Sequence, residues 1–124
     1  MKIRILGNSL RFRLKQPEVS HFQQHGIITE IIEFGPDPTN QLCFTLEITT
    51  KSEFAVDYAL GQVTIHVPGH VAEDWSNNDQ VGFNAKVNTG KGRGIELLVE
   101  KDFLCLDRGE EENKGAYPNP NAAC

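Results

Sequence analysis

The run Met1-Lys2-Ile3-Arg4-Ile5-Leu6-Gly7-Asn8-Ser9-Leu10-Arg11-Phe12-Arg13-Leu14-Lys15 alternates basic with apolar side chains on both sides of a Gly-Asn-Ser break. Strand side chains point to opposite faces with period two. Ile3, Ile5, Leu10, Phe12 and Leu14 therefore share one face, and Lys2, Arg4, Arg11, Arg13 and Lys15 share the other. Gly7-Asn8-Ser9 is turn chemistry, so the run reads as a β-hairpin with a basic face and an apolar face.

The same reading extends along the chain. Pro17 with Glu18 opens a short helix over residues 17–25, which Gly26 ends. Residues 27–34 are rich in β-branched side chains and run into Gly35-Pro36-Asp37-Pro38, where two prolines exclude a regular ladder. Gln41 to Thr49 alternates cleanly, with Leu42, Phe44, Leu46 and Ile48 on one side. Phe54–Tyr58 and Gln62–Val67 form a second hairpin around Ala59-Leu60-Gly61. After Pro68-Gly69 a brief helix over His70 to Trp75 precedes a third hairpin, built from residues 81–88 and 95–100 around Thr89 to Gly94. No internal repeat of useful length is visible. The expected fold is mainly β (α+β): a single antiparallel sheet of about eight short strands curled into a barrel or sandwich, with two short helices. Residues 1–106 form one globular domain, and the polar, proline-bearing stretch 107–124 is a flexible tail unless Tyr117 docks.

A chain of 124 residues is long enough to bury a core without metal or disulfide. Its net charge is -5, yet residues 1–15 contribute +5, so the remainder holds 7 basic and 17 acidic residues. An acidic molecule with one basic patch is a poor general DNA binder and a poor ligand for an anionic membrane. Cys43, Cys105 and Cys124 are odd in number and lack C-x-x-C spacing, which argues against a disulfide framework and a zinc finger. Without a visible secretory segment or a run of about 20 apolar residues, the expectation is a cytoplasmic protein with reduced thiols.

The pattern K-I-R-x-x-G-N-S-x-R-x-R-L at residues 2–14, with L-V-E-K-D-F-x-C-L-D-R at residues 98–108, resembles a small family of uncharacterised bacterial proteins, a domain of unknown function. The resemblance spans nearly the whole chain. It implies a compact bacterial domain, and it assigns no activity and no catalytic residue.

Several groups invite chemistry. Arginine forks suit phosphate or carboxylate oxygens, which makes Lys2, Arg4, Arg11 and Arg13 candidate anion ligands. The bland alternative is a solvated face balanced by Glu30, Glu33, Glu47, Glu96 and Glu100, since cross-strand pairs contribute only about 0.2 to 1 kcal/mol. Lys91 and Arg93 in the loop Thr89-Gly90-Lys91-Gly92-Arg93-Gly94 add two cations among glycines. The loop lacks P-loop spacing and opens no helix, and hairpin geometry explains it. His21/His25 and His66/His70 are four apart but lack the H-E-x-x-H glutamate, so no metal site is assigned. Cys105 reads as a buried thiol in the core phase of the last strand, without a base to activate it. The oxygen-rich stretch Asp74 to Asp79 misses calcium-loop order, and Trp75 within it reads as a lid on the core.

No catalytic constellation emerges, and no cofactor is implied. The leading expectation is a non-enzymatic domain that binds an anionic ligand or an acidic protein partner through the basic hairpin face. One alternative is a phosphohydrolase-like barrel with the cations lining a polar tunnel. The other is a structural homo-oligomer joined through strand edges.

Overall fold

The computed structural model describes residues 1–119. Its elements in order are β1 (Lys2–Ile5), β2 (Ser9–Leu14), α1 (Gln16–His25), β3 (Ile27–Glu33), β4 (Gln41–Thr49), β5 (Ala55–Ala59), β6 (Gln62–Pro68), α2 (Gly69–Asn77), β7 (Gly82–Gly90), β8 (Arg93–Lys101) and α3 (Glu110–Asn113). The strands form two sheets, β1-β2-β8-β7 (sheet A) and β3-β4-β6-β5 (sheet B). This corrects the expectation of a single sheet, and no barrel closes: the two sheets pack as an open sandwich. The antiparallel expectation holds at the outer pairs of each sheet. It fails at both centres, where β2 pairs with β8 and β4 with β6 in parallel.

The parallel centres follow from a repeated architecture that residue identities conceal. The chain is two ββαββ halves, β1-β2-α1-β3-β4 and β5-β6-α2-β7-β8, and each sheet takes one hairpin from each half. Phe12 and Ile65, Leu14 and Val67, Val19 and Ala72, and Phe22 and Trp75 are all buried, and the members of each pair lie 53 residues apart. Phe44 with Leu97 and Leu46 with Val99 continue the same offset on the last strand of each half. Only the apolar phase repeats, which is why the sequence shows no repeat.

The core lies between the sheets and under the two helices. Leu10, Phe12, Leu14, Leu97 and Val99 of sheet A meet Phe44, Leu46, Ile65 and Val67 of sheet B, with the Phe12 and Phe44 rings edge to face at 6.4 Å. The inner side is thus filled with hydrocarbon, which leaves no room for the polar tunnel of the barrel alternative. Trp75 is fully buried, donating Nε1–H to the Val81 carbonyl at 3.0 Å and standing edge-on to Phe83. It is a core residue and not a lid.

Local signals explain the boundaries. The Glu18 carboxylate accepts the Lys15 amide at 2.8 Å, capping the start of α1 beside Pro17. Gly26 ends that helix at φ +74°, the left-handed cap that glycine adopts without strain. At the β5–β6 turn Gly61 sits at φ +80°, and a Cβ there would come within 2.6 Å of the Gln41 carbonyl.

Beyond β8 the chain folds back. Tyr117, the residue on which the order of the tail turned, docks: its amide donates to the Asp102 carbonyl at 2.8 Å and its carbonyl accepts the Leu104 amide at 2.7 Å. Its ring lies against Phe103, with the Lys101 ammonium 5.5 Å from the ring centre. The short α3 between them is a third helix that the sequence pattern did not announce. Strand β8 ends at Lys101, so Cys105 lies beyond it, buried in the following turn and disulfide-bonded. The expectation of a buried free thiol is corrected there, while Cys43 is free. Cys124 lies outside the described residues. Among the described residues no helix is long and apolar enough to cross a membrane.

Candidate functional site: the outer face of sheet A

Pleating places the cations of the first hairpin on the side of sheet A that faces away from the core. The β1–β2 turn closes through paired backbone bonds between Leu6 and Ser9 at 3.1 and 3.3 Å. Its tip is fastened to β8, where Asn8 Nδ2 donates to the Gly94 carbonyl at 2.8 Å and the Glu96 amide donates to the Asn8 carbonyl at 3.1 Å. Register then aligns two full rows across the four strands. One is Arg4–Arg11–Leu98–Asn84, and its neighbour is Lys2–Arg13–Glu100–Gly82. A third, shorter row runs Ser9–Glu96–Lys86. The face therefore gains Lys86 and Asn84, two residues that the sequence reading missed. They belong to a hairpin some 70 residues away, and only β2–β8 pairing brings them here.

Two of the three arginines share one acid. Arg11 Nε donates to Glu100 Oε1 at 2.5 Å, and Arg13 Nε lies 3.6 Å from the same oxygen. Their side chains are 31% and 39% exposed, so both guanidiniums are partly desolvated yet reachable. Arg4 is exposed and forms no ion pair among the described residues. Three guanidiniums and the Lys86 ammonium against the carboxylates of Glu100 and Glu96 leave an excess of positive charge. Of the acids expected to balance this face, Glu100 does so. Glu30 instead joins Glu18 in holding the Met1 ammonium.

Lys2 has a different task. Its ammonium lies 3.2 Å from Asp102 Oδ2 and 3.5 Å from Glu112. Asp102 is 2% exposed, with Arg108 Nη1 at 3.1 Å from its other oxygen. Burial alone would push the Asp102 carboxyl up, but hydrogen bonds and charge from Arg108 and Lys2 outweigh it and hold the group below the usual carboxylate range. Arg108 Nη2 also donates to the Phe103 carbonyl. This buried pair and its lysine fasten the return of the chain to the first strand. No sequence signal points to them, because the partners of Asp102 lie 100 residues upstream and 6 downstream.

Lys91 and Arg93 are exposed at the tip of the β7–β8 hairpin, with Lys91 at φ +53°. The Asn8–Gly94 bond sets that tip beside the β1–β2 turn, but neither cation lines the cavities around the arginines. His66 pairs with Asp57 at 2.7 Å rather than with His70, and the His21 and His25 rings lie 4.4 Å apart on the exposed side of α1.

Three depressions meet at Arg11. A groove of about 500 Å3 crosses the sheet between Arg4, Arg11, Leu98, Asn84, Lys86 and Glu96. A pocket of about 150 Å3 lies among Lys2, Arg4, Arg11 and Arg13, and one of about 210 Å3 is bounded by Arg11, Arg13, Glu100, Asp102 and Arg108. A family model described as a family of unknown function (DUF7009) matches residues 1–121. The chain belongs to this family. No curated protein and no solved structure matches it.

The repeated architecture supplies an internal comparison. The positions of sheet B that correspond to Lys2, Arg4, Arg11 and Arg13 are Ala55, Asp57, Thr64 and His66, each 53 residues on. Glu100 corresponds to Glu47, and Leu98 to Thr45. One scaffold thus builds the same face twice, once basic and once not.

Proposed function

We propose that this DUF7009 chain is a non-enzymatic binding module that takes the anionic group of a small ligand on the outer face of sheet A. The observation that carries the reading is the asymmetry between two equivalent faces. A sandwich of this kind needs no arginine on its outer rows, because Asp57, Thr64 and His66 serve at the matching positions of sheet B. The arginines cluster where the groove is, and their fork geometry suits the paired oxygens of carboxylate or phosphate. Arg4 and Arg11 are the primary contacts and Arg13 supports them. Lys91 and Arg93 add positive field from the neighbouring hairpin tip. The groove volume falls in the range of small-molecule sites, about 300 to 1,000 Å3, which favours a small ligand over an acidic protein partner.

The test is titration of the full chain with acetate and with inorganic phosphate, beside the variant Arg4→Glu. Arg4 is exposed and forms no ion pair among the described residues, so its reversal leaves the fold intact. At least one of the two anions binds saturably to the natural chain, and the variant weakens that binding by about tenfold, as expected for loss of a charge-assisted contact and gain of repulsion. Equal affinity in both proteins, or no saturable binding to either, overturns the proposal. Binding of an acidic polypeptide but of neither small anion moves the assignment to a protein partner.

A further inference from the structure

Resting on the anion-binding reading above, we infer that the ligand is an organic anion with an apolar body, seated with its charged end on Arg4 and Arg11 and its hydrocarbon over Leu98. The row Arg4–Arg11–Leu98–Asn84 orders these chemistries across the sheet: two guanidiniums, then an aliphatic side chain, then an amide. Glu100 holds Arg11 by its Nε, which fixes the fork, and the two Nη groups have no hydrogen-bond partner among the described residues. They are free to receive a carboxylate.

Leu98 is the residue that the scaffold does not explain. Its strand phase points away from the core that Leu97 and Val99 occupy, and it is only partly covered. Its cross-strand neighbours on the outer face are Arg11 and Asn84, both polar. At the equivalent place in sheet B the fold uses Thr45, which shares a 2.9 Å hydroxyl contact with Thr29. A threonine therefore satisfies the geometry, and a leucine in the middle of a polar face serves what lies above it. The groove is also far larger than a phosphate or sulfate ion. At the rim beyond Leu98, Lys86 and Glu96 face each other in register, offering one group of each sign to a polar far end.

The experiment compares hexanoate, acetate and inorganic phosphate by calorimetric titration against the full chain and against Leu98→Thr, with Leu98→Ala as a second variant should the first not fold. In the natural chain hexanoate binds about tenfold more tightly than acetate, the gain expected when roughly two of its four extra methylenes leave water. In the variant the two affinities come within about twofold of each other, as follows from removing that apolar contact. Equal affinities for hexanoate and acetate in the natural chain, both weakened by Arg4→Glu, would overturn the apolar subsite while leaving the anion site standing. Phosphate binding more tightly than hexanoate would do the same. If none of the three probes binds, both readings fall.

Discussion

Glu100 and Asp102 lie two residues apart at the end of β8 and do opposite work. Glu100 is shared between two arginines that remain reachable, so it tunes a surface. Asp102 is closed off by Lys2 and Arg108, so it is a structural fastener, and that takes Lys2 out of the set of free anion ligands. Removing one partner of a buried ion pair strands the other. Asp102→Asn should therefore lower stability by about 3 kcal/mol at neutral pH, measured by urea unfolding. The effect has a defined pH sign. The folded-state carboxyl titrates below its ordinary value, so its contribution is complete above the normal carboxylate range and is lost as pH falls through the folded value. The natural and variant proteins should converge in stability under strongly acidic conditions. A constant difference down to the lowest pH would show that Asp102 acts by packing and not by charge.

The eight strands and the two longer helices were legible. Residues 41–49 alternate over nine positions and form β4 over that span, and the first hairpin falls where its Gly-Asn-Ser break and its period of two place it. Local periodicity fixes a strand and its two faces. It says nothing about which hairpin lies next to which, because that is settled by packing between residues dozens of positions apart. The parallel β2–β8 and β4–β6 pairs, the arrival of Asn84 and Lys86 on the basic face, and the Asp102 fastener were all hidden for that reason. Cys105 was misplaced for a related one: the apolar phase of β8 continues past Lys101 on paper, whereas the chain turns there to meet Tyr117. The exchange of hairpins between halves makes a prediction. Residues 50–53 are an exposed connection between β4 and β5, and neither half contains a complete sheet. Fragments 1–52 and 53–124 should each lack cooperative unfolding as monomers, and mixing them should restore one complex of natural β content, followed by circular dichroism and sedimentation. A stable folded monomer of either fragment alone would refute the hairpin exchange.

At the scale of the whole molecule, the two halves share one arrangement of core positions and carry different outer faces. Sheet A carries three arginines and a leucine above a groove, and sheet B carries threonines, an aspartate and a histidine at the same places. Since exposed ion pairs contribute about 0 to 1 kcal/mol, folding alone supplies no reason for the difference. The proposed anion site on sheet A supplies one. The direct measurement is a map of backbone amide chemical shifts during titration with hexanoate. Saturable shifts are expected on Arg4, Ser9–Arg11, Asn84–Lys86 and Glu96–Leu98, with the matching rows of sheet B silent. Shifts spread equally over both faces, or confined to sheet B, would contradict the proposed site.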